Sequence, residues 1–514
     1  MTTVDVLVVG GGCAGLRAAA EAAGLGARVL LLNKGRIGRT GCSAFLDHRI
    51  EYSLMNIPDQ APDSPERYME DLLACGAGRN DRAVVEAFVE GIMEERGVLQ
   101  TLGMRFREEG GRPRRVQLPG HSAARSLVCE AGFGRKLLAR LADLARARGA
   151  ALREGMVALD LWRAGGRVAG ILAAHGRTGE VTAVRAGAVV LAAGGLGNAF
   201  PLTTNPPDIA GDGVALACRA GAALRDMEFV QCYPLTTAPQ RGTYLVSGIL
   251  LAGRVFNRLG EAFAFEAPAG LAPHAARKAR LLALCEWMAN EIRDDRGAGG
   301  RSLAWDGTAI PRETYAAQMP ATYAAMQRAG ADLLRDRIQI APGAHQMLGG
   351  LRVDTEGATS LPGLYAAGED IGGLHGADRL SGTGILEGLV FGRRAARAAV
   401  AFAAAAGPAP PAETAPEFPT AGSRTASQPS LEEAKALEAR IVKAMDPLLV
   451  RRDPADVRRA LAALEAIRAA ADAAPFDPAR PRPSLRMQRV RNLALTATLV
   501  ASAMAAPAGA SAGC

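Results

Sequence analysis

The hydrophobic pattern of the first forty residues predicts a strand, a glycine turn, a helix and a second strand. Val4–Val9 is a β-branched apolar run, Ala14–Gly24 is rich in alanine, and Arg28–Leu32 is again apolar. Short apolar runs of this kind are typical of parallel strands buried on both faces, and small residues let a helix pack closely on them. This opening therefore predicts a doubly wound α/β sheet.

The same pattern predicts further elements and a change of character in the middle of the chain. Helices are predicted at Asp71–Cys75, Ala83–Leu102, Arg135–Ala147 and Val390–Val400. Strands are predicted at Val168–Ala173, Ala188–Leu191 and Gly363–Ala367. Residues 244–337 have mainly helical spacing, with a glycine-rich break at Arg296–Gly300, which indicates an inserted domain.

This pattern predicts several domains, in line with a length of 514 residues. The predicted units are a sheet domain at 1–243 and 338–402, an inserted α+β capping domain at 244–337, a linker at 403–429, and a small helical domain at 430–514. The linker is rich in Ala, Pro, Thr and Ser. The last unit carries helical spacing over Leu431–Ala474 and Met487–Ala505.

Composition and charge narrow the classes of function. The net charge is +8, but the basic residues are largely arginines interspersed with acids, so we expect no nucleic-acid binding. An acidic small molecule suits this charge. No apolar window is long enough to span a bilayer and no basic signal region opens the chain, so we expect a soluble, cytosolic protein without membrane contact of its own.

The eight cysteines are scattered and include no Cys-x-x-Cys pair. This spacing predicts neither a zinc site nor an iron–sulfur cluster in this chain. Any iron–sulfur electron relay would have to lie on a partner chain.

The first chemical motif is Gly10-Gly11-Gly12-Cys13-Ala14-Gly15, between the first predicted strand and helix. It fits the pattern G-x-G-x-x-G, in which the glycines permit a tight turn and the helix N-terminus faces a pyrophosphate. Where a dinucleotide site usually has an acid for the ribose hydroxyls, this chain has Asn33 and Lys34. An amide can still bind hydroxyls, so ribose binding is retained, but a NAD-type site is less favoured.

A second strand-to-loop motif lies at 363–369 and ends at Glu369. A buried strand here delivers an acid at its carboxyl end, where ligands bind in open α/β sheets. Two such elements at opposite ends of the chain favour FAD over a nicotinamide, because a flavin site needs a second crossing to reach the ribityl and isoalloxazine parts.

Five further motifs follow one another along the chain. They are Val190–Gly195, Thr204–Pro206 with Gly211–Gly213, Asp226–Gln231, His345–Gly350 and Gly372–Leu380. In this order they resemble the FAD-dependent family of succinate dehydrogenase, fumarate reductase flavoprotein and L-aspartate oxidase, in which the third motif is a strand. The resemblance covers most of the chain through Arg397, and Asp378 stands where that family has an asparagine.

The resemblance implies FAD as the cofactor and a small carboxylic acid as the substrate. The implied cofactor contacts are Gly10, Gly12, Cys13, Ala14, Gly15, Asn33, Lys34, Thr40, Gly41, Ala193, Gly194, Asp212, Gly368, Glu369, Gly384 and Ile385. His345 and Arg379 are implied to grip the substrate carboxylates, and His375 to be structural or close to the flavin. The alternatives are a packed core histidine for His345 and a surface ion pair for Arg379. Gly41 takes the place of the histidine that attaches flavin covalently, so we expect noncovalent FAD.

One family motif is not retained. The family's Thr-Glu-x-x-Arg segment, implied to contact a dicarboxylate and to transfer a proton, falls near Leu245–Leu251. Ser247 can replace the threonine, but Gly248 and Leu251 cannot replace the glutamate and the arginine. The candidate replacements for proton transfer are Tyr233, which stands in place of a family histidine and is otherwise a core aromatic, and Arg254.

Together these observations predict a Rossmann-like FAD-binding domain with an inserted α+β capping domain and a small C-terminal helical domain. The predicted function is hydride transfer between flavin N5 and a small carboxylic acid, with an altered substrate. Two alternatives stay open. One is an electron-transfer subunit that works with a separate iron–sulfur chain, and the other is a flavin-binding protein without turnover.

Overall fold

The structure is a computed structural model that describes residues 2–49, 54–298, 300–407, 430–450 and 452–506. The strands are β1 Thr2–Val9, β2 Val29–Asn33, β3 Leu54–Asn56, β4 Glu108–Glu109, β5 Arg112–Pro113, β6 Arg115–Val116, β7 Ser126–Val128, β8 Ala151–Glu154, β9 Met156–Ala164, β10 Arg167–His175, β11 Val181–Leu191, β12 Leu224–Arg225, β13 Val230–Ala238, β14 Arg254–Phe256, β15 Leu303–Asp306, β16 Ile338–Met347, β17 Gly350–Leu351 and β18 Leu364–Ala366. The helices are α1 Cys13–Gly24, α2 Cys42–Arg49, α3 Pro65–Cys75, α4 Arg82–Thr101, α5 Phe133–Ala147, α6 Asp212–Arg219, α7 Ser247–Ala252, α8 Pro273–Arg293, α9 Arg312–Gln318, α10 Pro320–Arg328, α11 Gly384–Ala406, α12 Leu431–Met445, α13 Pro454–Ala473 and α14 Pro481–Ala505.

The main sheet has the strand order β8-β2-β1-β11-β10-β9, and β18 pairs with the end of β11. Strands β8, β2, β1, β11 and β18 are parallel, whereas β10 and β9 continue the sheet in antiparallel fashion. The predicted strands Val4–Val9 and Ala188–Leu191 lie within β1 and β11. The predicted doubly wound α/β sheet is therefore confirmed, and its parallel strands end together at one edge.

Helices α1 and α11 pack closely because small residues face each other. A Cβ on Gly392 would lie 2.5 Å from the carbonyl oxygen of Ala14, and one on Gly388 would lie 2.7 Å from Cys13 Sγ. Neither position has room for a side chain. This close approach holds the start of α11 above the turn between β1 and α1.

A second sheet has the strand order β13-β16-β15-β14 and forms, with α7 to α10, the predicted α+β unit. Trp305 and Tyr315 are fully buried in its core. Strands β13 and β16 pair along most of their length, although they lie outside 244–337. The sheet thus continues across both predicted boundaries of the capping domain, and these boundaries stay a prediction. We call α7 to α10 with β14 and β15 the cap.

Two local predictions change in the structure. The predicted strand Asp226–Gln231 begins at Val230, because Asp226 lies in a turn with φ +56°. The predicted helix Val390–Val400 is longer in both directions and continues as α11 to Ala406, inside the predicted linker. Residues 408–429 of that linker lie outside the described residues.

The C-terminal segment forms three helices, α12, α13 and α14. The spacing over Leu431–Ala474 predicts one helical stretch, but a 3₁₀ turn at Asp446–Leu448 and Pro454 at the start of α13 divide it. Helix α14 contacts the sheet domain, where Asn492 Nδ2 donates to Asp212 Oδ1 at 2.8 Å. None of the helices in the described ranges combines the length and the apolar content that crossing a bilayer requires.

Candidate active site

A cavity of ≈ 610 Å³ lies where β1, β2 and β11 end, below the start of α11 and beside the cap. All residues predicted to contact the cofactor line it, with the exception of Gly15. The predicted catalytic residues His345, Arg379 and Ser247 also line it. The fold therefore brings these distant parts of the chain together, while their roles stay predictions.

The turn between β1 and α1 explains two of the predicted glycines. Gly10 has φ +112°, and a Cβ there would lie 2.0 Å from the carbonyl oxygen of Ala192. A Cβ on Gly15 would lie 1.9 Å from the carbonyl oxygen of Gly10, so Gly15 allows the turn to close without lining the cavity. At Gly12, the N-cap of α1, the nearest atom to such a Cβ is Ser43 Oγ at 3.5 Å, which accepts from Cys13 N at 3.2 Å, so the fold itself leaves room for a Cβ at this glycine.

The end of β2 is held by hydrogen bonds to the neighbouring loops. Asn33 Oδ1 accepts from Gly11 N at 3.0 Å, and Asn33 Nδ2 donates to Gly35 O at 3.0 Å. Lys34 Nζ forms an ion pair with Asp212 Oδ2 at 2.6 Å, and Asp212 lies at the start of α6. The Asn33 amide thus shapes the glycine turn, and Lys34 joins β2 to α6 at the cavity wall.

Two buried acids follow β18. Met347 N donates to Glu369 Oε1 at 2.9 Å, and Ala193 N donates to Asp370 Oδ2. Burial raises the pKa of Glu369 to about 8 and that of Asp370 to about 7. Asp370 Oδ1 has no hydrogen-bond partner among the described residues. Asp370 was not predicted as a site residue, and of the two acids Glu369 is the one among the lining residues of the cavity.

Helix α11 begins at the cavity with Gly384 and Ile385. Its N-cap residue, Thr383, makes no side-chain capping bond and instead accepts from Arg379 Nε at 2.8 Å. One turn into the helix, Glu387 Oε2 lies 3.1 Å from His375 Nε2. His375 is not among the lining residues of the cavity, and its structural or flavin-proximal role stays a prediction.

Arg379 is a buried cation that has no carboxylate partner among the residues that the structure describes. It is 7 % exposed, and its Nη1 donates to Gln231 Oε1 at 3.2 Å. Within the described residues its guanidinium forms no ion pair, and Nη2 has no hydrogen bond. Nη2 lies 3.2 Å from the point where a Cβ on Gly384 would be, at the mouth of α11. The surface ion pair considered from the sequence is therefore wrong, and the guanidinium is available to an anion in the cavity.

His345 borders the cavity next to Arg379. Its Nδ1 lies 2.9 Å from Thr204 Oγ1, and the Tyr244 ring lies 5.7 Å from its own ring. Burial, with the nearby charges of Arg379 and Lys278, lowers the pKa of His345 to about 3. The imidazole is therefore neutral at physiological pH, and Thr204 fixes the orientation of its ring.

The two residues proposed for proton transfer lie outside the described lining of the cavity. Tyr233 is buried, its hydroxyl donates to Leu245 O at 3.0 Å, and its ring stacks on Tyr244 at 3.8 Å. This is the core aromatic that the sequence left as the alternative. Arg254 lies exposed on β14 with its guanidinium over the Phe256 ring, so the structure does not bring it to the site.

The cap contributes two lining residues that were not predicted, Arg277 of α8 and Gln318 at the end of α9. A Cβ on Gly248 would lie 2.5 Å from Gln318 Oε1, so the Gln318 amide occupies the space next to the missing family glutamate. In the part of the chain that the structure describes, the Arg277 guanidinium forms no ion pair. No sequence motif marks either residue, because each belongs to an ordinary helix.

These features fit the FAD expected from the sequence. Helices α1 and α11 both begin at the cavity. Ser43 Oγ accepts from Cys13 N at 3.2 Å in the first turn of α1, while the N-cap residues Gly12 and Thr383 make no side-chain capping bond. Each helix therefore presents the positive end of its dipole to negatively charged or carbonyl oxygens of a ligand. Glu387 lines the cavity, and its buried Oε1 has no hydrogen-bond partner among the described residues. No group of metal ligands occurs in those same ranges.

Comparison with known proteins decides the family. A family model described as "FAD binding domain" matches residues 5–385, which is most of the chain. The chain belongs to this FAD-binding family. The cofactor of this flavoprotein is FAD, and it is an FAD-dependent oxidoreductase like its relatives.

The flavoprotein is similar to two groups of named proteins. It is 34% identical over 452 residues to L-aspartate oxidase of Caulobacter vibrioides, covering 86% of this chain and 84% of that one. It is 29% identical over 396 residues to one subunit of the fumarate reductase (CoM/CoB) of Methanothermobacter marburgensis, covering 76% and 71%. The resemblance to the family of L-aspartate oxidase and fumarate reductase is thus confirmed.

A solved structure shows the same fold. The FrdA chain of E. coli quinol fumarate reductase matches with a TM-score of 0.83 and 24% identity, covering 98% of this chain and 90% of that chain. The match includes the C-terminal helices, since it extends over nearly all residues. The predicted arrangement of an α/β FAD-binding fold with additional units is therefore confirmed as a fold class.

Proposed function

We propose that this flavoprotein transfers hydride between FAD and a small carboxylic acid bound between Arg379, His345 and the cap. The observation that carries the proposal is the buried guanidinium of Arg379, which has no carboxylate partner among the described residues and borders the cavity. A buried cation of this kind is costly unless it is paired, and a substrate carboxylate supplies that partner.

The other residues of the site have complementary roles. FAD, when bound noncovalently, accepts or supplies the hydride. The turn from Gly10 to Gly15 and the N-terminus of α1 hold the pyrophosphate, while Gly384 and Ile385 present the N-terminus of α11. His345, which is neutral, donates or accepts a hydrogen bond without repelling the Arg379 charge.

The cap side of the site differs from that implied by the resemblance. Gln318 brings a neutral amide next to Gly248, which stands where the family has a glutamate, and Arg277 brings a guanidinium from a different helix. Arg277 replaces Arg254 and Tyr233 as the candidate for proton transfer, because it lines the cavity. General acid–base groups contribute about 10²–10⁴-fold to rate, so a changed set of such groups favours a changed substrate.

The test is an anaerobic titration of the FAD-loaded protein with small carboxylic and amino acids, including L-aspartate and succinate, followed by absorbance. One acid outside these two should bleach the oxidised flavin band, or an unsaturated acid should reoxidise the dithionite-reduced protein. Bleaching by L-aspartate or succinate would contradict the altered substrate while leaving hydride transfer in place. A protein whose flavin responds to no acid would contradict the proposal.

A second candidate function is electron exchange with a separate iron–sulfur chain. It is favoured by the relative from Methanothermobacter marburgensis, which is named as one subunit of a fumarate reductase, so that protein has further subunits. Co-purification of a chain with iron and labile sulfide from the native host would support it. The cytoplasmic location expected from the sequence stays a prediction.

A further inference from the structure

Asp378 stands where the related family has an asparagine, and the structure shows what this acid contacts. Asp378 Oδ2 lies 2.6 Å from Lys278 Nζ. Lys278 belongs to α8 of the cap, whereas Asp378 belongs to the loop before α11. The two side chains are 15 % and 11 % exposed, so this ion pair is largely buried between the cap and the FAD-binding part.

The pair is connected to the backbone of Arg379 on both sides. Lys278 Nζ donates to Arg379 O at 3.1 Å, and Arg379 N donates to Asp378 Oδ1 at 2.8 Å. Gln231 Nε2 donates to the same two acceptors, Arg379 O at 2.9 Å and Asp378 Oδ1 at 3.0 Å. The backbone N–H and C=O groups of Arg379 are therefore both held by one hydrogen-bond network. Lys278 is the residue of the cap that takes part in this network.

A second contact joins α8 to another segment that borders the cavity. Gly120 N donates to His274 O at 2.9 Å, four residues before Lys278. The first turns of α8 thus contact both the Arg379 loop and the segment that carries Gln117 and Leu118, which line the cavity. The position of α8 and the position of Arg379 are linked through these contacts.

The energetics favour a role in placement over a role in overall stability. Two charges that are taken out of water lose solvation free energy, and their mutual attraction offsets this loss only roughly. An intact buried ion pair therefore adds little to the free energy of unfolding. Removal of one partner leaves the other uncompensated and is therefore strongly unfavourable. Burial by itself lowers the pKa of Lys278, but the charge and hydrogen bond of Asp378, together with Cys75 and Tyr244, outweigh burial and raise this pKa above its ordinary value. The ammonium is therefore charged throughout the physiological range.

We propose that Lys278 and Asp378 form a latch that ties the cap to the backbone of Arg379, so that docking of α8 places the guanidinium for the substrate carboxylate. Lys278 is in this sense a positioning residue, since it acts through Asp378 and the Arg379 carbonyl. The proposal rests on the proposed function in one respect, namely that Arg379 binds the substrate. The latch positions Arg379 and takes no part in the hydride transfer itself.

The test compares the holoprotein with Lys278→Met, Asp378→Asn and the double variant, with Arg280→Met on the same helix as the control. Arg280 makes no ion pair or hydrogen bond in the described part of the chain. Each single variant should raise the KM for the reactive acid about tenfold or more, with kcat changed by less than about threefold, because placement of a binding group is lost. The double variant should be less impaired than the product of the two single effects, because neither charge is left alone.

Hydrogen exchange of the holoprotein without substrate supplies an independent measurement. Lys278→Met should increase exchange in peptides that cover 374–381 and the first turns of α8, whereas Arg280→Met should not. Unchanged exchange, a loss in kcat as large as the rise in KM, or strictly multiplicative single effects would each overturn the latch. If no acid reacts with the wild type, the proposed function fails, but the exchange data still decide the latch.

Discussion

Burial lowers the pKa of both Arg379 and His345, the two residues proposed to bind the substrate, but only His345 loses its charge as a result. The ordinary pKa of a guanidinium is so high that Arg379 keeps its charge although burial lowers that pKa. The pKa of His345 falls to about 3, so its imidazole is neutral. A carboxylate in this site would meet one fixed positive charge and one neutral hydrogen-bonding ring. The sequence motifs around both residues predicted that they lie in the site. The motifs did not predict that Arg379 is charged there while His345 is neutral.

The neutral state of His345 predicts how binding depends on pH. Since its pKa lies at about 3, the affinity for the reactive acid should not change with the titration of this residue across the physiological range. The dissociation constant, measured by perturbation of the flavin spectrum, should show no inflection near the ordinary histidine pKa of about 6.5. An inflection that disappears in His345→Gln would contradict the assignment.

Glu369 gives a prediction for stability. Its pKa is raised above the unfolded value to about 8, so its contribution to stability is complete below the unfolded pKa and is lost as pH rises through about 8. The melting temperature of the apoprotein should therefore fall more between about pH 6 and about pH 9 in the wild type than in Glu369→Gln. The exposed Glu108→Gln serves as the control and should follow the wild type. Parallel profiles for all three proteins would rule out the raised pKa.

At the level of elements, the β1–α1 turn contains glycines that the fold needs and one, Gly12, that is proposed to serve the cofactor. Gly10 has a positive φ angle, and a Cβ there would overlap the Ala192 backbone. Gly12 has a negative φ angle, and a Cβ there would meet no backbone atom of the described residues. The turn was predictable because strand, glycines and helix are adjacent in the sequence. The pairing of β13 with β16 was not, because these strands are far apart in the sequence and carry no local signal of each other.

This difference predicts opposite defects for two alanine variants. Gly10→Ala should destabilise the apoprotein markedly, since a methyl group would overlap the Ala192 carbonyl. Gly12→Ala should leave the melting temperature of the apoprotein close to the wild-type value but weaken FAD binding about tenfold or more, because the methyl group obstructs the open end of α1. Thermal melts and FAD titrations of both apoproteins check this. Equal losses of stability would contradict it.

In the whole molecule, the site is completed by the cap, and this is where the sequence was least informative. Arg277, Lys278 and Gln318 belong to helices whose spacing predicts burial or exposure but not which distant residue they contact. Asp378 was visible as a departure from the family, yet its partner lies far earlier in the chain. Residues predicted to contact the cofactor do line one cavity, because their motifs are short and local, whereas the cap side of that cavity depends on how the cap docks.

The central claim is that the buried guanidinium of Arg379 binds the acid that reacts with the flavin. The most direct measurement is anaerobic stopped-flow reduction by the reactive acid in the wild type, Arg379→Met and the control Arg394→Met, which alters an ion-paired arginine of α11. Arg379→Met should retain FAD and lose at least about a hundredfold in the second-order rate constant of reduction, as expected for removal of one partner of a buried charge pair. Arg394→Met should match the wild type. An FAD-loaded Arg379→Met protein that is reduced at the wild-type rate would contradict the account.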